Sequence, residues 1–444
     1  MSIDFLILYE HKVREFENIC LIKVELERRG YSVIFSNTFD VKNLKLFFLK
    51  PEVLVGKAME TVWLYKQTIK KCGRVKKIVN LQWEQVINED EEKQKIWTPS
   101  GKAKEATHIC WGKKSYNRLK KAGVKNAVIT GHIAMDFLRP EFKEYYKSKQ
   151  EITREFNLDN NKKLVLFISS FGLNSDIIDE EMFKTMNLNY NYDWGKTLNE
   201  GDMSRSKILE WADRLLTERK DIVFVYRPHP SENYNKKSIL DELAEKHSNF
   251  KVIREYSVKQ WILVADRVLT WVSTSIVEAF FAKKHVGVLR PISLSKDTQN
   301  VEIYKDIKPI TTYEKMLEEI DNPSEEFPIQ ESVIREHYLV DETPSYIKVC
   351  DLLEEVLKTS KYDLPGYSKS IIRDIYDFLQ VLFVDTIISV FHLQKLCTRV
   401  PVKRLKNRFN NYFKNKHEFY SKEELKNVTD KLKKIIKKRD YEKR

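Results

Sequence analysis

The chain has 444 residues, 42% hydrophobic and 32% charged, which suits two or three domains with large cores. Twelve glycines and twelve prolines exclude a fibrous or low-complexity protein, and no run of about twenty uncharged apolar residues offers a transmembrane helix. The net charge of +13 is uneven: Pro401–Arg444 holds 16 Lys and Arg against 6 Asp and Glu, so that tail is expected to meet a polyanion.

The N-terminus carries acids on both sides of a short apolar run, so Ile3–Tyr9 reads as a strand and not as a signal peptide. Val13–Arg29 has helical spacing and stops at Gly30, and Tyr31–Phe35 reads as a second strand. Strand, helix and strand open a parallel sheet. The turn Tyr9–Lys12 has no glycine fingerprint, so a dinucleotide site of that kind is not expected there. Val53–Val55, Lys77–Leu81, His108–Trp111 and Ala127–Thr130 are further short strands. A polar joint follows around Glu144–Asn161.

Lys163–Ser169 starts a second alternating series. It continues with a helix near Ser206–Leu216, strand Ile222–Tyr226, a helix near Lys237–Lys246 and strand Phe250–Arg254. Helix Val258–Ala265, strand Val268–Thr270, helix Ser275–Phe281 and strand Val286–Leu289 complete it. The alternation predicts an α/β protein with two similarly built domains facing a cleft, residues 1–155 and 156–330. Asn187–Asp202 reads as a long loop. Val333–Leu357 reads as a helix returning to the first domain, within 331–360. Residues 361–444 form a helical basic extension. Within it Ile371–Leu396 is amphipathic, either packed on the protein or lying in a membrane interface.

Two stretches carry the chemistry. Arg227-Pro228-His229-Pro230-Ser231-Glu232 follows a buried strand, and its prolines hold the imidazole of His229 on a stiff turn. Arg227 offers a fork for an oxyanion, and Ser231 adds a hydroxyl. Thr270–Ser275 turns from a strand into a helix, and Ser273, Thr274 and Ser275 bring hydroxyls and N–H groups to one helix start. That combination suits a phosphate, though a simple N-cap needs only one of these hydroxyls. Glu278, one turn into the helix, is placed to accept from a ribose.

The first domain supplies Gln82, Glu84 and Gln85 after the strand Lys77–Leu81, with Trp83 among them. Glu84 is the candidate general base or acid, with Asp136 as its alternative. Gln82, Gln85, His132 and Asn174 are candidates for the acceptor side, and Gly172 permits close approach of backbone to ligand. No GxxxxGK[ST], GxSxG, Asp-x-Asp or Cys/His cluster is present. No metal site and no cofactor is therefore expected. The scattered cysteines, Cys20, Cys72, Cys110, Cys350 and Cys397, read as thiols of a reducing, cytoplasmic compartment.

These motifs resemble a known family. RPHPSE, WILVAD, STS-IVEA and a following strand ending in RP, preceded by NLQWEQ, HICWGKKSYNRLKKAGV and TGHIAMDFLRPE, are similar to bacterial surface carbohydrate biosynthesis proteins. The similarity is more remote to capsule and teichoic-acid polymerases with a His-Pro motif, including CDP-glycerol glycerophosphotransferases. It covers roughly Leu54–Leu357. It implies a GT-B fold, with a nucleotide-activated donor held mainly by the second domain. It also implies transfer of a sugar or polyol phosphate to a surface glycan or lipid-linked acceptor. His229, Ser273, Thr274 and Ser275 would contact the donor phosphate. The chain departs from the family pattern at His132 and at Ser169–Gly172.

The expected protein is thus a metal-independent glycosyltransferase taking a CMP-, CDP- or UDP-linked donor. Its basic tail would rest on anionic lipid at the inner face of the plasma membrane. A UDP-sugar 2-epimerase shares the architecture but has no use for the tail. A polyanion-binding protein would explain the aromatics Phe409, Tyr412, Phe413, Phe419 and Tyr420 among the tail's basic residues, yet no nucleic-acid domain signature is present, so nucleic acid is not an expected partner.

Overall fold

The computed structural model describes residues 2–38, 46, 49–57, 59–69, 75–82, 84–95, 97–172, 193–232, 238–296, 298, 301–304, 306–364, 375, 379 and 416–442. They form two compact units. One comprises residues 1–85, 94–137 and 335–444, the other 86–93 and 138–334.

The first unit is built on a parallel sheet of β1 (Ser2–Tyr9), β2 (Val33–Asn37), β3 (Lys50–Gly56), β4 (Lys77–Asn80), β5 (Thr107–Cys110) and β6 (Ala127–Ile129). Their spatial order is β2-β1-β3-β4-β5-β6. The long helix α1 (Lys12–Arg28) connects β1 to β2 and buries Phe16, Ile19, Cys20, Ile22 and Leu26. It stops at Gly30, whose φ of +93° is a left-handed conformation that glycine adopts without strain. The β2 strand starts two residues later than its apolar run suggested, because Gly30 and Ser32 complete the turn: Ser32 N–H donates to the Asp4 carboxylate at 2.7 Å.

The segment expected as one helix over Val333–Leu357 is two, Glu331–His337 and Ser345–Lys358. Pro344 ends the linking turn and fixes the entry to the second helix. Asp136 sits beneath that entry. It is 1% exposed, and its two oxygens accept from Ser345 N (2.9 Å) and Tyr346 N (2.7 Å). The helix then packs along α1, where Arg29 reaches Asp351 (2.7 Å) and Glu354 (3.1 Å).

The basic extension also folds onto this unit where it is described. Helix Lys422–Glu442 lies along α1 and buries Leu432, Ile435 and Ile436. Before it, Tyr420 packs its ring on Phe16 (5.4 Å) and Phe35 (4.9 Å). The Glu418 carboxylate accepts from Lys12 N at the start of α1 (2.6 Å), and the Glu418 carbonyl accepts from Tyr9 OH (2.9 Å). Apart from Ile375 and Leu379, the candidate helix Ile371–Leu396 lies outside the described residues. Among those residues no helix is long and apolar enough to cross a membrane.

The second unit has a five-stranded parallel sheet of β7 (Lys163–Ile168), β8 (Ile222–Arg227), β9 (Phe250–Val252), β10 (Arg267–Thr270) and β11 (Val286–Val288). The order is β11-β10-β7-β8-β9. Every residue of β8 is buried, as a strand covered on both faces requires. Phe167, Phe224, Tyr226 and Phe250 meet across the strands, with ring centroids 5.3–6.5 Å apart. The expected loop Asn187–Asp202 is helical from Trp194, in a helix that runs to Glu218. Asp193 starts it by accepting from Lys196 N at 3.0 Å, a cap that the turn-rich composition concealed.

The first unit carries one strongly shifted acid on α1. Burial pushes the Glu15 carboxyl up from 4.5 to about 8, against the opposing charges of His11 and Arg14. The folded state therefore holds this proton more tightly than the open chain. The stabilisation is complete below the unfolded value and is lost as pH rises through about 8. The melting temperature is expected to fall across that window, and Glu15→Gln to flatten the profile. A wild-type profile already flat from about pH 5 to pH 8.5 contradicts this.

Candidate functional site

In the second unit β7 is central, and connections run outward from it on both sides. The order reverses between β7 and β10, and the carboxyl ends of strands at such a reversal are where open α/β sheets hold ligands. Three loops leave that edge: Ser169–Gly172 after β7, the His-Pro turn after β8 and Trp271–Ser275 after β10.

The middle loop ties the other two together. Ser170 Oγ accepts from Val272 N at 3.2 Å, and the Phe171 ring stacks on Trp271 with centroids 4.7 Å apart. On the other side Ser231 Oγ donates to the Gly172 carbonyl at 3.2 Å. A Cβ on residue 172 would fall against the His229 ring and the Ser231 hydroxyl, so glycine alone permits this approach.

The His-Pro turn is fixed by Glu232, which is fully buried. Its Oε2 accepts from Ser169 Oγ (2.6 Å) and from His229 N (3.1 Å). Its Oε1 accepts from Tyr226 OH (2.8 Å) and lies 3.5 Å from Arg205 Nε on the long helix. Burial, with the Glu232 charge beside it, pushes the Tyr226 hydroxyl well above its ordinary value, so it stays a donor. The imidazole of His229 is exposed. Its Nδ1 lies 2.7 Å from Ser231 Oγ and 3.2 Å from Ser231 N, so Ser231 holds the ring in place.

Arg227 departs from its expected role as an oxyanion fork. It is 8% exposed, and its guanidinium donates to the carbonyls of Glu255 (2.9 Å) and Tyr256. Burial lowers it to about 10. It braces the loop after β9.

The Ser-Thr-Ser turn uses more of its backbone than its sequence suggests. Ser273 N–H donates to Tyr304 OH at 2.7 Å, and Tyr304 OH donates to the Ser273 carbonyl at 2.5 Å. Ser275 N–H donates to Ser273 Oγ at 3.3 Å. The N–H groups of Ile276 and Val277 bond to the carbonyls of Ser273 and Thr274. What the turn presents is hydroxyls, with Thr274 exposed and Ser275 and Glu278 half-buried. Tyr304 had no signal in the sequence, since its contact with residue 273 spans 31 positions.

The first-unit candidates serve mainly the scaffold. Gln85 donates to the carbonyls of Gln82 (3.1 Å) and Ile109 (2.9 Å) and accepts from Trp111 N (2.8 Å). Gln82 is 3% exposed at φ +35° and donates to the Glu84 carbonyl at 3.2 Å. Glu84 is half-exposed and ion-paired with Arg14. His132 stacks on Trp111 at 3.8 Å, and its Nδ1 accepts from Ala134 N. Asp136, expected as an alternative acid, is instead the buried helix cap described above. Asn174 lies outside the described residues. Among those residues no group of three or more His, Cys, Asp or Glu is placed to hold a metal ion.

No protein-family model matches the chain, and no curated protein matches it in sequence. Solved structures do match it in fold. The wall teichoic acid polymerase TagF aligns with 80% of this chain and 89% of its own, at 13% identity and a TM-score of 0.50. The Methanocaldococcus jannaschii UDP-GlcNAc 2-epimerase, in complex with UDP-GlcNAc and UDP, aligns with 80% of this chain and 100% of its own, at 13% identity and 0.47. A glycosyltransferase from Rickettsia africae aligns with 81% and 100%, at 14% identity and 0.43. The fold of this chain is GT-B-like: two parallel α/β sheets with helices, plus a C-terminal helix.

Removing the buried Glu232 carboxylate takes the charged acceptor away from Ser169, Tyr226, the His229 N–H and Arg205, and leaves Tyr226 only the Ser169 hydroxyl at 3.0 Å. Glu232→Ala is expected to cost about 3–5 kcal/mol of stability. Chemical denaturation followed by tryptophan fluorescence measures this, and a cost below about 1 kcal/mol contradicts the role given to Glu232.

Proposed function

We propose that this protein is a transferase of cell-surface polymer synthesis. It moves a sugar from a CMP-, CDP- or UDP-linked donor to a glycan or lipid-linked acceptor. One observation carries the reading. His229 and the hydroxyls of Ser273–Ser275 flank the reversal point of the second sheet, and the loop Ser169–Gly172 bonds to both turns.

The chemistry is a displacement at the donor's anomeric carbon. The acceptor hydroxyl oxygen bonds to that carbon and gives up its proton to water, as the bond to the donor phosphate oxygen breaks and its electron pair stays on the phosphate. Charge grows on the leaving group, so the groups that matter are donors held in place beforehand. The imidazole of His229 and the hydroxyls of Thr274 and Ser275 supply them. Glu278 accepts from the ribose of the nucleotide. The donor is a substrate, and no resident cofactor enters the scheme. Transfer of a polyol phosphate from a CDP-linked donor is a second reading. The likeness in fold to TagF, a wall teichoic acid polymerase, supports it.

The charge of the extension supports a membrane location. Lys433, Lys434 and Lys437 are exposed on helix Lys422–Glu442, while its apolar side is buried. Attraction to an anionic membrane is then electrostatic, worth about 1 kcal/mol per lysine near the surface, and needs no insertion. We infer from this charge a peripheral location at the inner face of the plasma membrane, on the cytoplasmic side.

Calorimetry against CMP, CDP, UDP, GDP and ADP tests the donor site. A cytidine or uridine nucleotide is expected to bind. His229→Ala and Gly172→Ala should each weaken it by roughly tenfold or more, the loss of one hydrogen bond to a charged group. Absence of nucleotide binding at millimolar ligand overturns the reading. Changing Lys433, Lys434 and Lys437 together to Gln should weaken binding to phosphatidylserine vesicles at low salt. Equal binding by the variant removes the membrane assignment.

A further inference from the structure

Arg290 follows β11, at the same edge of the second sheet as the Ser-Thr-Ser turn. It is 5% exposed. Its Nη1 donates to the carbonyl of Trp271, the residue that opens that turn. The guanidinium lies over the Trp271 ring (5.8 Å) and the Tyr304 ring (5.4 Å). Tyr304 in turn grips both the N–H and the carbonyl of Ser273. Among the described residues the Arg290 Nη2 is buried without a hydrogen-bond partner, and so is Trp271 Nε1 beside it. No described carboxylate pairs with this cation, whose neighbours are two aromatic rings and a carbonyl.

A buried cation without a counter-ion is costly, and removing such a charge from a protein interior is often neutral or stabilising. Two donors orphaned in one place call for an acceptor. The turn above them offers an anion hydroxyls, but most of its N–H groups are already bonded. Arg227, the other arginine of the motifs, is spent on the carbonyls of Glu255 and Tyr256. Among the described residues, Arg290 is a source beneath the turn of the positive charge that a diphosphate needs.

We propose that Arg290 is the counter-charge of the anion site on the Ser-Thr-Ser turn. Its cation is uncompensated in the free protein and is balanced when the diphosphate of a nucleotide settles there. This rests on the donor-site reading given above. In a low-dielectric surrounding a fixed charge acts over several ångströms, so Arg290 strengthens diphosphate binding through the turn as well as through any direct hydrogen bond. The part of the ligand that carries no charge gains nothing from it. Arg290 thus discriminates nucleoside diphosphates from nucleosides.

The test measures UDP, CDP, uridine and cytidine on wild type, Arg290→Met and Arg290→Lys, with melting temperatures of the free proteins. Arg290→Met is expected to weaken UDP or CDP by roughly 10- to 100-fold, as for a hydrogen bond to a charged group. The nucleoside affinities should stay unchanged and the melting temperature unchanged or higher. Arg290→Lys keeps the charge and should keep most of the preference for diphosphate over nucleoside, which holds the test open if the Met variant fails to fold. If wild type binds a diphosphate and Arg290→Met binds it equally well, the inference fails and the donor-site reading stands. If Arg290→Met melts lower and loses nucleoside and diphosphate alike, Arg290 is a scaffold residue and the inference is overturned. If wild type binds no diphosphate, the donor-site reading fails and takes the inference with it.

Discussion

The buried carboxylate of Glu232 holds the carboxyl edge of the second unit's sheet together. It collects a hydroxyl from the loop after β7, a phenol from within β8, the backbone N–H of His229 and the guanidinium of Arg205. Three stretches of chain, at Ser169, at Arg205 and over Tyr226–Glu232, are fixed by one side chain. A carboxylate does this better than a neutral group, because each donor bonds to charge and the site excludes water. The position of His229 follows: its backbone is tied to Glu232, its ring to Ser231, and Ser231 to the carbonyl of Gly172.

The two sheets use their carboxyl edges differently. In the second, hydroxyls and an imidazole remain at the surface of the turns, with cations and acids buried behind them. In the first, the polar groups at the corresponding edge are largely consumed. Gln85 braces three backbone groups, Asp136 caps a helix, and Glu418 sits on the first turn of α1. Helix N-termini attract carboxylates through unpaired N–H groups, and here two acids of the chain itself take those places. The extension is therefore more than a charged tail. Tyr420 and Glu418 finish the first unit, while Lys433, Lys434 and Lys437 of helix Lys422–Glu442 stay outside.

Much of the fold was legible in the amino-acid sequence. The apolar runs of β1, β3, β7, β8, β10 and β11 are short, rich in branched and aromatic residues and bounded by turn residues. A strand buried on both faces leaves that signature whatever its neighbours. The stop of α1 at Gly30 was equally local. So was the stiff His-Pro turn, because proline acts on its own neighbours. The division of the long segment 333–357 at Pro344 and the early start of the helix at Trp194 were harder. There, caps and turn residues outweigh periodicity.

What only the tertiary structure decided is which polar residues were left for chemistry. Arg227, His229, Asp136 and Glu84 look alike as candidates in a string of letters, each polar and each after a strand. Folding gives Arg227 two carbonyls, Asp136 two amides and Glu84 an arginine, and it leaves the ring of His229 exposed. The partners that make this choice, Glu232 with Ser169 and Arg205, Tyr304 with Ser273, and Arg290 with Trp271, lie 19 to 63 residues apart along the chain. Sequence determines where strands end and which turns are stiff, since those depend on neighbours within a few residues. Hydrogen bonds and buried charge depend on distance in space, and the chain sets that only once it has folded.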